Sequence, residues 1–293
     1  MRQVIILLLT GILVSCQTTQ TTSENQQNQT SNSKYVTMSK KEKALTFVQA
    51  ALSQDVATVR ELVDEGYIQH NPFIPTGLDA FIGLFPVLKE NGTSAEAVRV
   101  IEDGNFVAIH HLWRGAQPFG AEEMVSFDVL RFGENGKIME HWDAMMPNTP
   151  PNPSGRTLLD GETEISDLDQ TAANKAKSEK LFSTFINEDQ AAVGAIVTEN
   201  FQPDYLQHNP KVADGVPAIF EAFGREQWVY QKNHKLIAQG NMVLSISEGT
   251  AKGVPTVFYD LLRYEDGKVV EHWDVIQTIP TENLANENTM FAF

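Results

Sequence analysis

The stretch FDVLRFGENGKIMEHWD, residues 127–143, decides the fold of this 293-residue chain because it occurs twice. The second copy is YDLLRYEDGKVVEHWD, residues 259–274, which is one residue shorter in its middle. In each copy, two runs rich in β-branched and aromatic residues flank an Asn-Gly or Asp-Gly pair, and these pairs are typical of tight hairpin turns. The stretch therefore predicts one β-hairpin in each half of the chain.

A second block repeats in the same order. YIQHNP, residues 67–72, returns as YLQHNP, residues 205–210, so both blocks recur at a separation of roughly 130–140 residues. Two matching blocks in one order indicate a tandem duplication of a domain of about 110 residues. We expect the two domains at 39–146 and 169–282, a linker rich in proline at 147–168, and a tail at 283–293.

The N-terminus has the features of an export signal. Residues 1–15 carry a basic Arg2 and then an apolar span too short to cross a membrane. The chain's one cysteine, Cys16, stands where a bacterial lipobox places the lipidated residue. We expect cleavage before Cys16, a lipid anchor there, and a polar, flexible tether over 16–38. This predicts a cell-envelope protein, held at the outer membrane if the cell has two membranes, because Gln17 is not aspartate.

Composition excludes several classes of protein. Lys and Arg number 22 against 38 Asp and Glu, a formal net charge of −16, which disfavours nucleic acid as a partner. A single cysteine forms no internal disulfide and no cysteine-ligated zinc site. Glycine-rich phosphate loops and nucleophile elbows are also missing from the sequence.

Each copy places helical periodicity first and strand-like segments afterwards. Ser39 and Glu42 have the spacing of a capping box ahead of the first apolar run. Four segments of high β-propensity then follow, ending in the hairpin. This order predicts an α+β fold in which a curved antiparallel sheet wraps over its own helices and leaves a pocket on its concave face.

The hairpin carries the residues that are best suited to chemistry. Alternate residues of a strand share a face, so His141 and Asp143 lie together, and Asp128 reaches the same level from the neighbouring strand. The second copy offers Asp260, His272 and Asp274. We expect this His/Asp face to line the pocket, because ionisable groups are easier to accommodate there than between sheets. Salt bridges across the hairpin are expected for Arg131 with Glu140 and for Arg263 with Glu271.

Further candidates would bind substrate at the rim of the pocket. His70-Asn71 and His208-Asn209 are placed at a helix-to-loop junction, where they either orient a carbonyl group or simply staple the loop. The first copy also has His110, His111 and Trp113 on one strand, where the second copy has Ile246, Ser247 and Gly249. Of these, His110 and Trp113 are predicted to line the first pocket, which makes the first copy the more complete site.

A metal site is a weaker alternative. His70, one of His110 and His111, His141 and Asp143 offer ligand types that zinc or iron accepts. Metal-binding motifs such as HExxH are missing, however, and the second copy lacks the paired histidines. The sequence therefore favours a site without a metal.

The QHNP and EHWD blocks resemble the SnoaL-like polyketide cyclase family, in particular its branch of predicted aldol-condensation enzymes, within the nuclear-transport-factor-2-like superfamily. The resemblance implies two tandem cone-shaped α+β barrels with apolar pockets and no cofactor. It also implies that Asp143 and Asp274 act as bases beside Asp128 and Asp260. Because single domains of this superfamily commonly dimerise through the sheet, the two copies are expected to form an intramolecular pseudo-dimer through the face that bears Trp142 and Trp273.

Two classes of function remain open from the sequence. One is a cofactor-independent lyase or isomerase that enolises a small carbonyl compound. The other is a non-catalytic envelope module that binds an apolar ligand or a protein. The export signal and the doubling depart from the cytoplasmic cyclases, so the substrate of the family is not carried over to this chain.

Overall fold

The computed structural model describes residues 34–293. Ser39–Phe293 forms one compact unit. The predicted signal peptide, Cys16 and nearly all of the predicted tether lie outside the described residues. Within residues 34–293, none of the helices is long and apolar enough to span a membrane.

The first half of the compact unit, residues 39–147, begins with helices and ends in a sheet. Its helices are α1 (Lys40–Ser53), α2 (Val56–Leu62), α3 (Leu78–Ile82) and α4 (Phe85–Glu90). Its strands are β1 (Val63–Gln69), β2 (Ser94–Asp103), β3 (Phe106–Arg114), β4 (Glu123–Phe132) and β5 (Ile138–Pro147). A 3-10 turn, Gln117–Phe119, precedes β4.

The second half, residues 168–278, repeats this order with one helix fewer. After a 3-10 turn, Leu168–Gln170, its helices are α5 (Thr171–Asn187), α6 (Gln190–Asn200) and α7 (Val216–Glu226). Its strands are β6 (Phe201–Gln207), β7 (Trp228–Gln239), β8 (Met242–Ala251), β9 (Val254–Glu265) and β10 (Lys268–Thr278).

The two five-stranded sheets have equivalent topologies. Their strand orders are β1-β5-β4-β3-β2 and β6-β10-β9-β8-β7, and only the pairs β1–β5 and β6–β10 are parallel. The predicted fold class, α+β with helices packed against a largely antiparallel sheet in each half, is confirmed.

Local signals in the sequence account for several boundaries. The predicted capping box begins α1, since the Ser39 hydroxyl accepts the Glu42 N–H and the Glu42 carboxylate accepts the Ser39 N–H at 2.7 Å. Both hairpin turns occur where predicted, and their glycines, Gly136 at φ 71° and Gly267 at φ 73°, have the left-handed backbone that glycine adopts without strain.

The parallel strands β1 and β6 were not predicted from the sequence. Both end at the glutamine of the QHNP block, so His70 and His208 follow a strand and not a helix. In β1 the buried positions are Val63, Tyr67 and Gln69, and the charged residues between them obscure the alternation. The pairing with β5 also shifts register after Val63, which breaks the pattern further.

The backs of the two sheets pack against each other. One buried apolar cluster contains side chains from both, including Phe127 and Trp142 of the first half and Tyr259 and Trp273 of the second. The Phe127 and Tyr259 rings are stacked with centroids 6.5 Å apart. Each helical layer therefore covers the opposite face of its own sheet, and this is the face on which each half keeps its cavity.

The linker and the tail are also packed. Leu158 of the linker and Met290 of the tail are buried members of the cluster between the sheets. Arg99 of β2 donates hydrogen bonds to three linker carbonyls, those of Leu159, Asp160 and Glu162. Phe293 stacks on Trp142 with ring centroids 4.6 Å apart, which gives the tail a specific docking site.

Candidate active site

The first half encloses an apolar cavity between its helices and its sheet. Its volume is about 670 Å³, counted together with its open mouth. Three groups of the hairpin, Asp128, His141 and Asp143, supply charge to a wall that is otherwise mainly aliphatic and aromatic. The remaining lining residues are Phe47, Val48, Ala51, Leu52, Ile74, Phe81, Leu84, Leu88, Trp113, Phe119, Leu130 and Met145.

Strand register brings the three polar groups together. Asp128 of β4 pairs directly with Asp143 of β5, and His141 lies two residues before Asp143 on the same face. Their ligand atoms all fall within 4.8 Å of one another, and the three side chains are buried. The cluster predicted from the alternation of the hairpin is therefore present and faces the cavity.

Asp128 is the centre of a hydrogen-bond network. Its carboxylate accepts from His111 Nδ1 at 2.8 Å, from His141 Nε2 at 3.0 Å and from the Ser126 hydroxyl. The Ser126 hydroxyl in turn accepts from the indole N–H of Trp113 at 2.9 Å. Burial opposes ionisation of Asp128, but the hydrogen bonds from the two histidines outweigh it and hold the pKa of Asp128 below its ordinary value.

Asp143 has the opposite electrostatic character. Burial raises its pKa, the nearby charge of Asp128 adds to this, and the opposing effects of His141 and of Asn71, which donates to Asp143 Oδ1 at 2.7 Å, are smaller. The outcome is a pKa of about 6. The two carboxylates therefore divide into one held ionised and one that titrates near neutrality, the usual signature of acid–base machinery.

The side-chain amide of Gln69 determines which nitrogen of the neutral His141 ring carries the proton. Its Oε1 accepts the Asn71 backbone N–H at 2.9 Å, so its Nε2 faces both the Tyr67 hydroxyl and His141 Nδ1, the latter at 3.0 Å. An amide NH₂ only donates, so Nδ1 must accept and the ring keeps its proton on Nε2, toward Asp128. Burial lowers the pKa of His141, but Asp128 and Asp143 raise it overall.

The second half carries a related cluster. Asp260, His272 and Asp274 lie within the same 4.8 Å limit and line a cavity of about 510 Å³ with its mouth. Asn209 donates to both oxygens of Asp274, at 2.9 and 2.8 Å, and burial raises the pKa of Asp274 to about 6. Here the side-chain oxygen of Gln207, Oε1, lies 3.0 Å from His272 Nδ1, so this ring can donate from both nitrogens.

The two clusters differ most beside the first aspartate. His111 and Trp113 support Asp128, whereas the second half has Ser247 and Gly249 at the matching positions. Tyr230 from β7 takes over and donates its hydroxyl to Asp260 at 3.1 Å. A Cβ at position 249 would lie 1.9 Å from a backbone oxygen of β7, so glycine is what lets the two strands approach closely here.

Three residues predicted to bind substrate lie outside the cavities. His70 and His208 stack on Trp142 and Trp273, at 4.5 and 4.7 Å, on the opposite side of the sheets. His110 stacks on Phe127 on that side as well, with its Nδ1 3.1 Å from a nitrogen of Arg99. For His110 the physical reason is strand alternation, because His110 and His111 must point to opposite faces and it is His111 that points toward the cavity.

The other predicted binding residues are close to the clusters. Trp113 lines the first cavity, and Asn71 and Asn209 hold Asp143 and Asp274. The expected Arg131–Glu140 and Arg263–Glu271 pairs both form.

Sequence reasoning did not single out two supporting residues, Tyr67 and Gln69, nor their counterparts Tyr205 and Gln207. Their signal was available, since both copies of the block read Tyr-x-Gln-His-Asn-Pro.

The ligand-type atoms of each cluster are close enough to surround a cation, but their hydrogen bonds argue for another use. Both oxygens of Asp128 accept histidine donors, and Asp143 Oδ1 accepts the Asn71 amide. Of the side chains in the sequence-based metal alternative, His70 and His110 lie behind the sheet, whereas His111 lies on the cavity side with its Nδ1 hydrogen-bonded to Asp128. Among these residues, the ligand-type atoms that lie close enough to share a cation are those of Asp128, His141 and Asp143, which differs from the set that the sequence suggested.

One family model matches part of the first half of the chain. Residues 44–141, about a third of the chain, match the family model of the SnoaL-like domain. A search of curated proteins finds no significant match.

Solved structures also resemble the chain. IdmH from Streptomyces antibioticus, a proposed polyketide cyclase, is 20% identical with a TM-score of 0.32, covering 37% of this chain and 92% of its own. A proposed ketosteroid isomerase from Kribbella flavida is 16% identical with a TM-score of 0.32, covering 38% and 82%. An NTF2-like protein from Cytophaga hutchinsonii is 12% identical with a TM-score of 0.32, covering 38% and 92%. The chain is thus similar, over residues 44–141, to the SnoaL-like domain.

Proposed function

We propose that the first cavity catalyses proton transfer next to a carbonyl group, as a cofactor-independent lyase or isomerase of the enolising or aldol type. The observation that carries this proposal is Asp143, a buried carboxylate with a pKa near 6 at the wall of an apolar cavity. A carboxylate poised near the working pH is effective as a general base, and a positioned base contributes typically about 10²–10⁴ in rate.

The two carboxylates would have separate roles. Asp128 stays ionised and holds His111 and His141 in place through its two oxygens. Asp143 keeps Oδ2 toward His141 Nε2, at 3.8 Å, while its other oxygen is occupied by Asn71. Asp143 Oδ2 is therefore the oxygen available to accept a proton from a bound substrate.

The proposed step balances without any co-reactant. Asp143 takes the proton, the carbon–hydrogen bond breaks, and its electron pair moves onto the carbonyl oxygen to form an enolate. The His141 Nε2–H donates to Asp128 Oδ1 at 3.0 Å and lies 3.8 Å from Asp143 Oδ2, so with substrate bound it would be shared with that oxygen and stabilise it. The enolate then either regains the proton at another carbon or attacks a second carbonyl carbon, and Asp143 returns the proton to the product.

The cavity supports a small and largely apolar carbonyl compound as substrate. Its wall offers aliphatic and aromatic carbon apart from the three hairpin groups and the Trp113 indole. A polar or highly charged substrate would lose hydration there without gaining partners.

Deuterium exchange tests the proposal directly. The purified protein is incubated in D₂O with β-keto esters and cyclic ketones, and loss of the α-proton signal is followed by NMR. We expect wild-type exchange, at least about 100-fold slower exchange by Asp143→Asn, and no change in Asp204→Asn, which alters an exposed carboxylate on β6. Equal rates for wild type and Asp143→Asn would contradict the assignment of the base.

We further propose that the second half is a second SnoaL-like domain derived by duplication. The same strand order and the cluster Asp260, His272 and Asp274 support this. If its site is also active, each single variant, Asp143→Asn or Asp274→Asn, loses only part of the exchange, and the loss of about 100-fold or more is reached in the double variant.

Ligand binding without catalysis is a second candidate, and the second cavity favours it. Phe185, Phe223, Trp228 and Tyr230 line both this cavity and a wider groove beside α6 and α7, so a larger apolar ligand has room to extend outward. This candidate predicts an apolar molecule that co-purifies with the protein and is retained in Asp274→Asn but lost in Trp228→Ala. Mass spectrometry of a solvent extract distinguishes these outcomes.

The site of action is proposed to be the cell envelope. The N-terminal signal and Cys16 support a lipid anchor. Labelled fatty acid should be incorporated into the full chain in a bacterial host and not into Cys16→Ser. Incorporation into both proteins would exclude Cys16 as the anchor.

A further inference from the structure

The segment that follows the last strand of each half crosses to the other half. The tail is again residues 283–293, and the part of the linker between β5 and the second half, residues 148–167, is called the connecting segment. The tail follows β10 of the second half, yet it docks on the loop after β1 in the first half. The connecting segment follows β5 of the first half and docks on the loop after β6 in the second half.

The tail contacts are concentrated on the loop that begins at Gln69. Asn288 Nδ2 donates to the Gln69 carbonyl at 2.9 Å. Asn286 Nδ2 donates to the carbonyls of Asn71 and Ile74, at 2.8 and 2.7 Å. Two asparagine side chains thus bind three carbonyls of this loop.

Apolar anchors hold the tail in this position. Met290 is buried between the sheets, and Phe293 stacks on Trp142. The Thr289 carbonyl accepts from His70 Nδ1 at 2.7 Å. The buried residues of the tail therefore hold the two asparagines against the loop.

The connecting segment repeats the arrangement in the second half. Asn152 Nδ2 donates to the carbonyls of Gln207 and Val212, at 2.6 and 2.9 Å. The Thr157 carbonyl lies 2.7 Å from His208 Nδ1, as the Thr289 carbonyl does from His70. Leu158 then takes the buried position that Met290 takes in the tail. Two segments with little sequence in common thus make related contacts: asparagine amides bind loop carbonyls, a threonine carbonyl meets the histidine Nδ1, and an apolar side chain is buried between the sheets.

The braced loops carry the side chains that hold the carboxylates. Asn71 Nδ2 donates to Asp143, and the Gln69 amide faces His141. In the second half, Asn209 holds Asp274 and Gln207 faces His272. Fixing the backbone of each loop therefore fixes the donors at each site.

We propose that Asn286 and Asn288 are positioning residues for Asp143, and that Asn152 is the positioning residue for Asp274. Each site is completed by the segment that trails the other half, so neither half holds its own carboxylate correctly without the other. The catalytic meaning of this arrangement rests on the proposed function, whereas the positioning itself does not.

Titration of the two aspartates distinguishes this proposal from a purely structural role. Asp143 is faced by Asp128 from β4, His141 from β5 and Tyr67 from β1, and its charge also acts on Tyr259, which lies on the far side of the sheet. None of these is altered by a change in the tail. A changed titration of Asp143 therefore reports on the loop that carries Asn71.

The titratable groups around Asp274 are Asp260, His272, His208, Tyr205 and Tyr230, and Asn152→Ala replaces none of them. His208 also contacts the connecting segment, but through Thr157 and Asp160 and not through Asn152.

The experiment is ¹³C NMR titration of selectively labelled aspartate carboxyls in the purified protein, assigned with Asp143→Asn and Asp274→Asn. In Asn286→Ala/Asn288→Ala, a loosened Asn71 donates less well, so the midpoint of Asp143 should rise by roughly half to one pH unit with Asp274 unchanged. In Asn152→Ala the midpoint of Asp274 should rise and that of Asp143 should not.

Both variants keep the apolar anchors, and thermal unfolding verifies that they fold. If the double variant is unstable, Asn288→Ala alone tests the same bond to Gln69. An unchanged Asp143 midpoint in a folded tail variant, or equal shifts at both aspartates, overturns the proposal. Because the titration needs no substrate, it can succeed even if the deuterium-exchange assay shows no catalysis.

Discussion

Asp143→Asn should make the protein more stable near neutral pH while it removes the proposed base. The substitution preserves the size of the side chain and leaves an oxygen to accept the Asn71 amide, which is 2.7 Å from Asp143 Oδ1. It removes only the ability to carry a buried negative charge. Any stability change that depends on pH therefore reports on ionisation of this one carboxyl group.

The magnitude follows from the difference between the two pKa values. The pKa of Asp143 is about 6 in the folded protein against a model value of 3.8. This difference of about two units corresponds to about 3 kcal/mol at 1.36 kcal/mol per unit. Because the folded-state pKa is raised, the contribution of Asp143 to the free energy of unfolding is fully present below about pH 4 and is lost as pH rises through about 6.

The measurement is urea unfolding of wild type and Asp143→Asn at several pH values from 4 to 8. The stability advantage of the variant should be small at pH 4 and grow to about 3 kcal/mol by pH 8. Asp204→Asn, the exposed control, should show no such trend. An advantage that is independent of pH, or a variant less stable than wild type at pH 8, would refute the proposed ionisation of Asp143.

Three other predictions follow from the site and the core. Asp128→Asn should lower the free energy of unfolding by about 3–5 kcal/mol at pH 7, because it removes the carboxylate that two buried histidines bind. Because the pKa of Asp128 is lowered on folding, this loss should shrink as pH falls, which urea unfolding at several pH values measures. His272 should become protonated at higher pH than His141 in NMR titrations, because the Gln207 side-chain oxygen faces Nδ1 of His272 whereas the Gln69 NH₂ group faces Nδ1 of His141. The reverse order would contradict these two amide orientations. Trp142→Ala should cost about 3–5 kcal/mol and leave one cooperative unfolding transition, since this side chain packs against both halves; two calorimetric transitions would contradict a shared core.

Much of the fold follows from local sequence patterns. The hairpin turns are set by glycines that adopt positive φ, and the start of α1 is set by Ser39 and Glu42. The alternation along β4 and β5 is enough to place Asp128, His141 and Asp143 on one face. These features depend on residues close in sequence or joined by a short turn, so few arrangements are possible.

Other predictions failed where the decisive contacts join distant residues. Alternation along β3 requires His110 and His111 to face opposite ways, but nothing within the strand tells which face meets the helices. The answer comes from Arg99 and Phe127, which receive His110 between the sheets. The placement of His70 likewise depends on Trp142, more than 70 residues later in the chain.

The sequence by itself determined the repetition of two blocks, the α+β order of elements and the pairing of two carboxylates with a histidine in each half. All of these are recorded in repeated blocks and in the period-two pattern of strands. Only the tertiary structure decided the exchange of the trailing segments, in which Asn286 and Asn288 reach the loop at Gln69 and Asn152 reaches the loop at Gln207. The physical reason is that those bonds go from asparagine amides to backbone carbonyls. Every residue carries a backbone carbonyl, so no side-chain pattern in the sequence marks which carbonyl an asparagine will bind.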